Sequence, residues 1–299
     1  GTDADPYLIS DLDDLKELCQ TSADWSATFS QTADIDASQT QYWDDSDDNS
    51  NSDNYDDAND ATATGNNEGF PPIGNLTTNF TGEYRGNGHT ISGIHINRGG
   101  TDYVGFFGYI NGGAVSYLGL AGVDITGDDR VGGFAAFNSS ATITNSSSSG
   151  TVSGDGIVGG FAGENSASGS ISDCYSTCEV SGDDDVGGFA GENSTSGSID
   201  KCYSAGAVSG NDDTGGFCSY NAGTVSNCFW DTQASGQPSS EGGTGKTTSE
   251  MQDLDTYTAA SWDFDDTWIM DININNGLPA FWEGYEDNYL PSDSDADSY

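Results

Sequence analysis

A unit of about 27–28 residues recurs through the middle of the chain, and it constrains the fold more than any other feature. Tetrads of a β-branched residue followed by Gly-Gly-Phe begin at Val131, Val158, Val186 and Thr214, at almost equal spacing. A degenerate copy begins one period earlier, at Val104. A second apolar column keeps the same period: Val115, Ile143, Ile171, Ile199 and Val225. This self-similarity is typical of a solenoid, in which each unit buries its apolar face only against its neighbours.

Each repeat unit has the pattern of short β-strands separated by Gly, with no helical pattern between them. The Phe of each tetrad is predicted to point inward in an aromatic ladder formed by Phe106, Phe134, Phe161, Phe189 and Phe217. Beside these rings, a neighbouring wall is expected to approach where a Cβ would clash, which explains Gly133, Gly160, Gly188 and Gly216. Parallel crossovers are usually right-handed. We therefore predict an all-β, right-handed parallel β-helix (β-solenoid) with one repeat unit per coil and short helical caps at its ends.

Composition along the chain predicts three parts. Residues 1–70 are expected to form an N-terminal capping segment, with a helix over residues 11–19 capped by Ser10 or Asp11, and an acidic loop at 44–69. Residues 71–230 hold the solenoid repeats, and residues 231–299 a C-terminal cap and acidic tail. In that last part we predict a short helix over 247–256. An apolar cluster is expected to close the end of the solenoid: Trp262, Phe264, Trp268, Ile269 and Met270.

The charge is strongly one-sided, with 6 Lys and Arg against 49 Asp and Glu and a net charge of −43. Such a surface repels phosphate, which excludes nucleic acid and anionic membranes as partners. Salt of about 1 M shortens the Debye length to about 3 Å and screens the self-repulsion. We therefore predict a protein adapted to molar salt. No apolar run approaches the roughly 20 residues that span a bilayer, so we expect no transmembrane segment.

Acidic turns recur at one corner of successive repeats, which raises the question of bound cations. The residues concerned are Asp128, Asp155, Asp183, Asp184 and Asp212. Like charges stacked about 5 Å apart repel, so this column either faces brine or holds cations. Calcium takes six to eight oxygen ligands, and we predict a calcium site at this corner. Asp45-x-Asp47-x-Asn49 in the acidic loop also resembles the start of an EF-hand loop, although Ser50 replaces the expected Gly.

Cys174, Cys202 and Cys228 share one column of the repeat. They fit a row of small buried thiols, because free Cys packs as a small hydrophobe. Disulfides between adjacent coils, such as Cys174 to Cys202, are the alternative, since a coil spacing of about 4.8 Å lies within the allowed Cα range. Five sequons favour export and predict glycosylation at Asn75, Asn79, Asn138, Asn145 and Asn193.

Candidate catalytic motifs are weak. Residues 242–248 resemble a phosphate-binding loop, but Ser240 stands where the first Gly belongs, and we interpret the segment as a turn into the terminal cap. The only histidines, His89 and His95, have no evident third metal ligand. Paired carboxylates could hydrolyse glycans, yet among 49 acids such pairs arise by chance. We expect no enzyme, with a carbohydrate-active enzyme, a polysaccharide hydrolase or lyase on a β-helix, as the alternative.

The sequence Val-Gly-Gly-Phe-Ala-Gly-Glu-Asn, at 158–165 and again at 186–193, resembles the GLUG repeat. Flanking pieces at 5–9, 80–93 and 229–232 resemble the same family, so the resemblance covers nearly the whole chain outside residues 44–69 and the tail. GLUG repeats are known from secreted and cell-surface proteins, including adhesin-like proteins and non-catalytic parts of some IgA-specific peptidases. The resemblance implies an extracellular β-solenoid without catalytic residues. Adhesion to a cell-surface or glycan ligand, or self-assembly into a filament or matrix, is the expected role.

Overall fold

The computed structural model describes residues 1–43 and 67–281, and these form an all-β protein built on a parallel β-solenoid of about five coils. The predicted fold class is confirmed, while the hand of the coil stays a prediction. Three features discussed above lie outside the described residues: most of the acidic loop, its EF-hand-like run from Asp45 to Asn49, and the tail at 291–299.

The N-terminal segment contributes three strands and one helix: β1 (Tyr7–Ile9), α1 (Leu12–Gln20), β2 (Thr28–Gln31) and β3 (Ile35–Asp36). The first coils add β4 (Glu83–Arg85), β5 (Thr90–Ser92), β6 (His95–Asn97), β7 (Phe107–Asn111), β8 (Ala114–Ser116) and β9 (Gly119–Thr126). The next two coils add β10 (Val131–Gly132), β11 (Ala135–Ser139), β12 (Thr142–Thr144), β13 (Ser147–Ser153), β14 (Val158–Gly159), β15 (Ala162–Ser166), β16 (Ser170–Ser172), β17 (Tyr175–Ser176) and β18 (Glu179–Ser181).

The last coils hold β19 (Val186–Gly187), β20 (Ala190–Asn193), β21 (Ser198–Asp200), β22 (Tyr203–Ser204), β23 (Val208–Ser209), β24 (Thr214–Gly215), β25 (Cys218–Asn221), β26 (Thr224–Ser226) and β27 (Phe229–Asp231). The C-terminal part holds α2 (Thr232–Ser235), β28 (Thr244–Lys246), α3 (Thr248–Met251), α4 (Leu254–Thr258), β29 (Trp268–Ile269) and β30 (Ala280–Phe281). Three short 3-10 turns lie at Ser22–Asp24, Ser38–Tyr42 and Asn275–Gly277. The longest described helix, α1, has 9 residues, and no described helix is long and apolar enough to cross a bilayer.

Each coil strand pairs in parallel with its counterpart one coil away, which builds four walls named here by strand number. The eight-stranded wall runs from β1 through β2, β4, β8, β12, β16 and β21 to β26, and the four-stranded wall from β10 through β14 and β19 to β24. The five-stranded wall runs from β7 through β11, β15 and β20 to β25. The eleven-stranded wall contains β3, β5, β6, β9, β13, β17, β18, β22, β23, β27 and β28. Register is strict: Val115, Ile143, Ile171, Ile199 and Val225 pair in one row.

The aromatic ladder fills the interior. Phe134, Phe161, Phe189 and Phe217 are fully buried, and successive ring centroids lie 4.6, 4.9 and 4.9 Å apart with interplanar angles of 8°, 4° and 1°. Phe106 is also buried, although its stacking partner, at 5.3 Å, is Phe70. Burial of each ring contributes roughly 1.5–3 kcal/mol.

The paired glycines beside each Phe have separate steric reasons. At the first, a Cβ would overlap a carbonyl oxygen three residues later in the same turn, as between Gly159 and Ala162. At the second, a Cβ would overlap the equivalent Gly carbonyl of the next coil, as between Gly160 and Gly188, whereas at Gly216 it would overlap the ring of Trp230. Two of these second glycines also accept hydrogen bonds from buried serines through their carbonyls: Ser148 Oγ donates to Gly160 O and Ser204 Oγ to Gly216 O, both at 2.8 Å.

The cysteine column holds thiols. All six cysteines of the chain are free and buried, so the disulfide alternative is not adopted. Cys174, Cys202 and Cys228 each donate to a main-chain carbonyl two residues earlier, at 3.1, 3.2 and 3.0 Å. Burial, followed by the neighbouring thiols, raises the pKa of Cys202 well above its usual range. The column is therefore a row of buried thiols, as predicted.

Both ends of the core are covered. At the N-terminal end the predicted helix is confirmed as α1: Asp11 accepts from the main-chain N–H groups of Asp13 and Asp14, and Leu15 and Leu18 are buried in the core. At the C-terminal end the loop before β28 covers the last coil. Ser239 O accepts from Gly216 N–H at 3.0 Å, and Ser240 Oγ accepts from the next two N–H groups.

The C-terminal aromatic residues pack on a side of the solenoid. Trp262 and Trp268 form a second core with Tyr203 and Phe229, which project outward from the eleven-stranded wall. This differs from the expected position at the solenoid end, because the last coils carry aromatic residues on the outer face of this wall. The single helix predicted over 247–256 is two helices, α3 and α4, since Asp253 caps the second by accepting from the N–H of Asp255.

Candidate functional site

The acidic corner stacks through its main chain. Asp155 N–H donates to Asp128 O at 2.9 Å, Asp183 N–H to Asp155 O at 3.1 Å, and Asp212 N–H to Asp183 O at 2.9 Å. Asp184 also bonds to this stack, through Asp155 O at 3.0 Å. Among residues 1–43 and 67–281, no three His, Cys, Asp or Glu side chains are placed to hold a metal ion together. The calcium site at this corner, which would also need main-chain carbonyl ligands, stays a prediction.

Two of the five sequon asparagines are interior residues. Asn138 and Asn193 are fully buried, so a glycan cannot be attached to either in the folded protein, and the prediction of glycosylation there is corrected. Asn75 is exposed, whereas Asn79 and Asn145 are partly buried. The sequons were misleading because Asn138 and Asn193 each lie four residues after a ladder Phe, at a position of the repeat that the fold buries.

The buried asparagines form a directional ladder. Asn138 Nδ2 donates to Asn165 Oδ1 at 2.8 Å, Asn165 Nδ2 to Asn193 Oδ1 at 2.9 Å, and Asn193 Nδ2 to Asn221 Oδ1 at 2.9 Å. Asn221 Nδ2 then donates to Glu241 O in the covering loop at 3.5 Å. Buried amides need such partners, and each coil provides the acceptor for the coil before it.

The remaining candidate motifs have structural roles. His89 Nδ1 lies 3.5 Å from Asp34 Oδ1 and His95 Nδ1 lies 3.0 Å from Asp124 Oδ2, so the two rings have different partners. Residues 244–246 of the phosphate-loop-like segment form β28. Thr247 and Glu250 make a capping box for α3, so the segment leads into the cap as predicted, but as a strand of the wall and not as a turn.

A carboxylate pair not singled out by sequence lies on the outer face of the five-stranded wall. Tyr109, Phe137, Glu164, Glu192 and Tyr220 occupy one outward column. Arg130 Nε donates to Glu164 Oε2 at 2.9 Å, and Ser194 Oγ lies 3.0 Å from Glu164 Oε1 and 3.4 Å from Glu192 Oε2. Burial raises the pKa of the Glu192 carboxyl, and the negative charges of Glu164 and Asp185 raise it further. The available signal was a Glu at the same place in two successive repeats.

A groove crosses the outer face of the eleven-stranded wall beside the C-terminal segment; we call it the tyrosine groove. Two adjoining cavities of about 180 and 220 Å³ share Thr90, Gly119, Ser147 and Tyr175 as lining residues. Tyr117 and Phe281 line the first of these cavities. None of the described residues that line either cavity is Asp, Glu, Lys or Arg. In a chain of charge −43, the described lining of this concavity is uncharged.

The groove exists because one outward column changes size. Its register runs Thr90, Gly119, Ser147, Tyr175, Tyr203 and Phe229. The large rings of the later coils are covered by the C-terminal cluster, and Tyr175 stacks on Tyr203 at 5.0 Å. The small residues of the earlier coils leave space. Sequence reasoning did not find the groove, because its far wall comes from a segment outside the repeats.

The chain resembles known proteins over parts of its length. Residues 127–153, one coil of the solenoid, match the GLUG motif, which confirms the resemblance there. Halomucin of Haloquadratum walsbyi is 35% identical over 133 residues, covering 42% of this chain and 1% of that protein. A candidate Gly-rich membrane protein of Evansella cellulosilytica is 39% identical over 57 residues, covering 19% of this chain and 6% of that protein. The chain thus spans a small part of these curated relatives.

A solved structure shares the fold over nearly the full length. It is the crystal structure of a candidate immunoglobulin A1 protease from Bacteroides ovatus, with a TM-score of 0.70. The match covers 95% of this chain and 94% of the other, at 20% sequence identity. At that identity the likeness establishes the β-solenoid architecture and nothing about activity.

Proposed function

We propose that this chain is a non-enzymatic, extracellular β-solenoid of a halophilic microbe, displayed on the cell surface and acting in adhesion. The observation that carries the proposal is the division between inside and outside. The repeated Phe, Asn and Ser residues are internal, while 49 acidic residues against 6 basic ones give the exterior a charge suited to brine. The similarity of 133 residues to halomucin supports this setting.

We favour adhesion over a self-assembling filament or matrix subunit. A filament built by adding strands from a second copy needs an open sheet edge at each end of the solenoid. At the C-terminal end the N–H groups of Gly216, Phe217 and Cys218 already bond to Ser239 and Ser240. Strand addition there requires displacing this loop, whereas the walls remain accessible to a ligand from the side.

Surface labelling tests the proposal. Intact cells of the source organism, kept in molar KCl, are treated with a membrane-impermeant amine-reactive biotin, and the chain is then captured. We expect labelling on intact cells, and beads coated with the chain should be retained on those cells more than beads coated with the same chain unfolded by desalting. Labelling that appears only after lysis would overturn the proposal.

A second function, a carbohydrate-active enzyme, is favoured by one observation: the carboxylates of Glu164 and Glu192 approach the same Ser194 hydroxyl. Paired carboxyl groups of this kind carry glycoside hydrolysis elsewhere. The full chain is incubated with polysaccharides across pH 4–8 in molar KCl beside E164Q, with E179Q as a matched control on an exposed strand position. Turnover by wild type and E179Q that disappears in E164Q would establish the enzyme and reject the non-enzymatic role.

A further inference from the structure

We propose that Asn75 is the N-glycosylation acceptor of the folded chain, and that the fold itself selects this asparagine from the five sequons. The inference rests on the extracellular location in the proposed function, because N-linked glycans are carried by exported proteins. It does not depend on adhesion.

Exposure separates the sequon of Asn75 from the other four. Glycan transfer needs an acceptor tripeptide at the protein surface, where a transferase can reach all three of its residues. Asn75, Leu76 and Thr77 are each exposed, and Leu76 is 65% exposed. Each of the other sequons contains at least one buried residue; the buried residues are Phe80, Asn138, Ser139, Ser146, Ser147 and Asn193.

The loop that carries this tripeptide stands out from the solenoid. Both of its ends are fixed, because Ile73 N–H donates to Phe106 O at 3.0 Å and Phe80 N–H donates to Tyr109 O at 2.9 Å. Ile73 and Phe80 are fully buried, whereas residues 75–77 between them are exposed and lie outside the strands and helices. The acceptor is therefore presented at the surface without any strand pairing that transfer would have to break.

Hydrogen bonds also orient the carboxamide of Asn75. Its Oδ1 accepts from the main-chain N–H groups of Thr77 and Thr78, both at 2.9 Å. Because both partners are donors, the oxygen must face the turn, and the nitrogen lies on the other side of the carboxamide. At Asn79 the nitrogen faces the protein instead: Nδ2 donates to Asn75 O at 2.8 Å, and Oδ1 accepts from Asn111 Nδ2 at 3.2 Å.

The bond changes define the substrate class. The donor is an oligosaccharide activated at its anomeric carbon by a phosphate-linked carrier. Asn75 Nδ2 forms a bond to that carbon while the C–O bond to the phosphate breaks, and the carrier leaves with the electron pair. The amide nitrogen gives up one proton to a base of the transferase. Oδ1 takes no part in the bond change, so the turn keeps its two hydrogen bonds in the product.

Incubation with membranes tests the acceptor directly. The full chain, produced in a host that lacks N-glycosylation, is incubated in molar KCl with membranes of the source organism, which supply the transferase and its lipid-linked sugar. Cleavage after Glu68 and Glu83 then releases residues 69–83, and the mass of this peptide detects a glycan on Asn75 or Asn79. We expect this peptide, and no peptide with another sequon, to gain the mass of the glycan.

Three variants assign the glycan within that peptide. Thr77→Ala removes the sequon of Asn75 but keeps the main-chain N–H of residue 77, so the glycan should be lost while the thermal midpoint stays unchanged. Thr77→Ser retains the sequon and should keep the glycan. Thr81→Ala, the matched control at another exposed threonine, removes the sequon of Asn79 and should also keep the glycan.

Three results would overturn the proposal: residues 69–83 stay unmodified, their glycan survives Thr77→Ala but is lost in Thr81→Ala, or a peptide with another sequon is modified. Each leaves the surface location untouched, because biotin labelling of intact cells is scored separately. Absence of that labelling would instead reject the extracellular role, while the incubation with membranes still reports on Asn75.

Discussion

At the scale of single residues, the solenoid depends on side chains that meet their own copies one coil away. Phe161 lies between two parallel rings, and Asn165 accepts from one Asn and donates to the next. The first rung of the amide ladder is incomplete: Asn138 Oδ1 is buried and has no hydrogen-bond partner among the described residues. Its register partner in the preceding coil is Ile110, which offers no donor.

Ile110→Asn should therefore be tolerated better than a matched substitution. Both Ile110 and Ile143 are fully buried, but only an Asn at 110 could donate to Asn138 Oδ1 and lengthen the ladder. We expect Ile143→Asn to cost roughly 3–5 kcal/mol of unfolding free energy, from lost packing and a buried amide. Ile110→Asn should cost about 1–2 kcal/mol less. Denaturant unfolding in constant molar KCl measures both, and equal losses would contradict the ladder extension.

We expect the unfolding free energy to depend on pH through the titration of Glu192. Burial raises its pKa in the folded state, so the protonated carboxyl is favoured by folding. The resulting stability is present below the unfolded-state pKa of about 4.3 and is lost as pH rises through the folded-state pKa. Glu192→Gln should remove this loss, and its stability relative to wild type should be greater at pH 7 than at pH 4.

Thermal midpoints across that range test the prediction, in molar KCl so that the distant carboxylates are screened. Glu179→Gln, at an exposed position, controls for the loss of one negative charge. A difference between wild type and Glu192→Gln that does not change with pH would contradict the assignment.

At the scale of elements, the C-terminal loop has the task of ending the walls without leaving an open edge. Ser240 Oγ accepts from the N–H groups of Phe217 and Cys218 at 3.1 and 2.9 Å. One side chain thereby replaces the partners that a further coil would supply. The neighbouring Ser239 contributes only its main-chain carbonyl.

Ser240→Ala should destabilise the chain by about 1–3 kcal/mol, because it leaves main-chain donors at the last coil unpaired. Ser239→Ala is the matched control and should be nearly neutral, since the carbonyl of residue 239 remains. Hydrogen exchange at residues 214–218 provides the local readout. Faster exchange there only in Ser240→Ala is expected, and identical exchange in both variants would argue against the capping role.

An element could be predicted from the sequence where its contacts repeat at a fixed spacing along the chain. The coils from Val131 onward could be predicted, because each contact repeats at a fixed spacing in the sequence. The joining of β1 and β2 to the eight-stranded wall could not, since Phe29 pairs with Tyr84 across a stretch that carries no repeat. The side position of Trp268 and the tyrosine groove likewise arise from contacts between segments far apart in the chain. The asparagines of the ladder recur at the repeat spacing, but the sequons that contain two of them suggested glycosylation instead.

At the scale of the whole molecule, the balance between an apolar interior and an anionic surface depends on salt. The 49 acidic residues are spread along a chain with only 6 basic ones, so few acidic residues have an ion-pair partner of their own. Repulsion over such a surface is long-ranged at low ionic strength. The interior ladders are independent of salt, which confines the salt effect to the exterior.

The unfolding free energy should accordingly rise steeply with KCl and then level off. The Debye length falls from about 10 Å at 0.1 M to about 3 Å at 1 M, so most of the gain is expected below about 1 M. Thermal unfolding at increasing KCl measures it, with CaCl₂ at matched ionic strength as the comparison. A stability that does not vary with KCl would contradict the surface account, and a larger effect of millimolar calcium would instead indicate a specific site.

The strict register of the walls has a consequence for how such a chain could change length. Excising residues 159–186 would join Val158 directly to Gly187, and every ring, amide and hydroxyl row would close up over the gap, because Val158 and Val186 are already aligned partners. Duplicating the same residues would lengthen the solenoid by one coil, and the added coil would make the same interior contacts. Deletion or duplication of whole repeats can therefore change the length of this solenoid one coil at a time, while the outward-facing residues of each coil remain free to diverge.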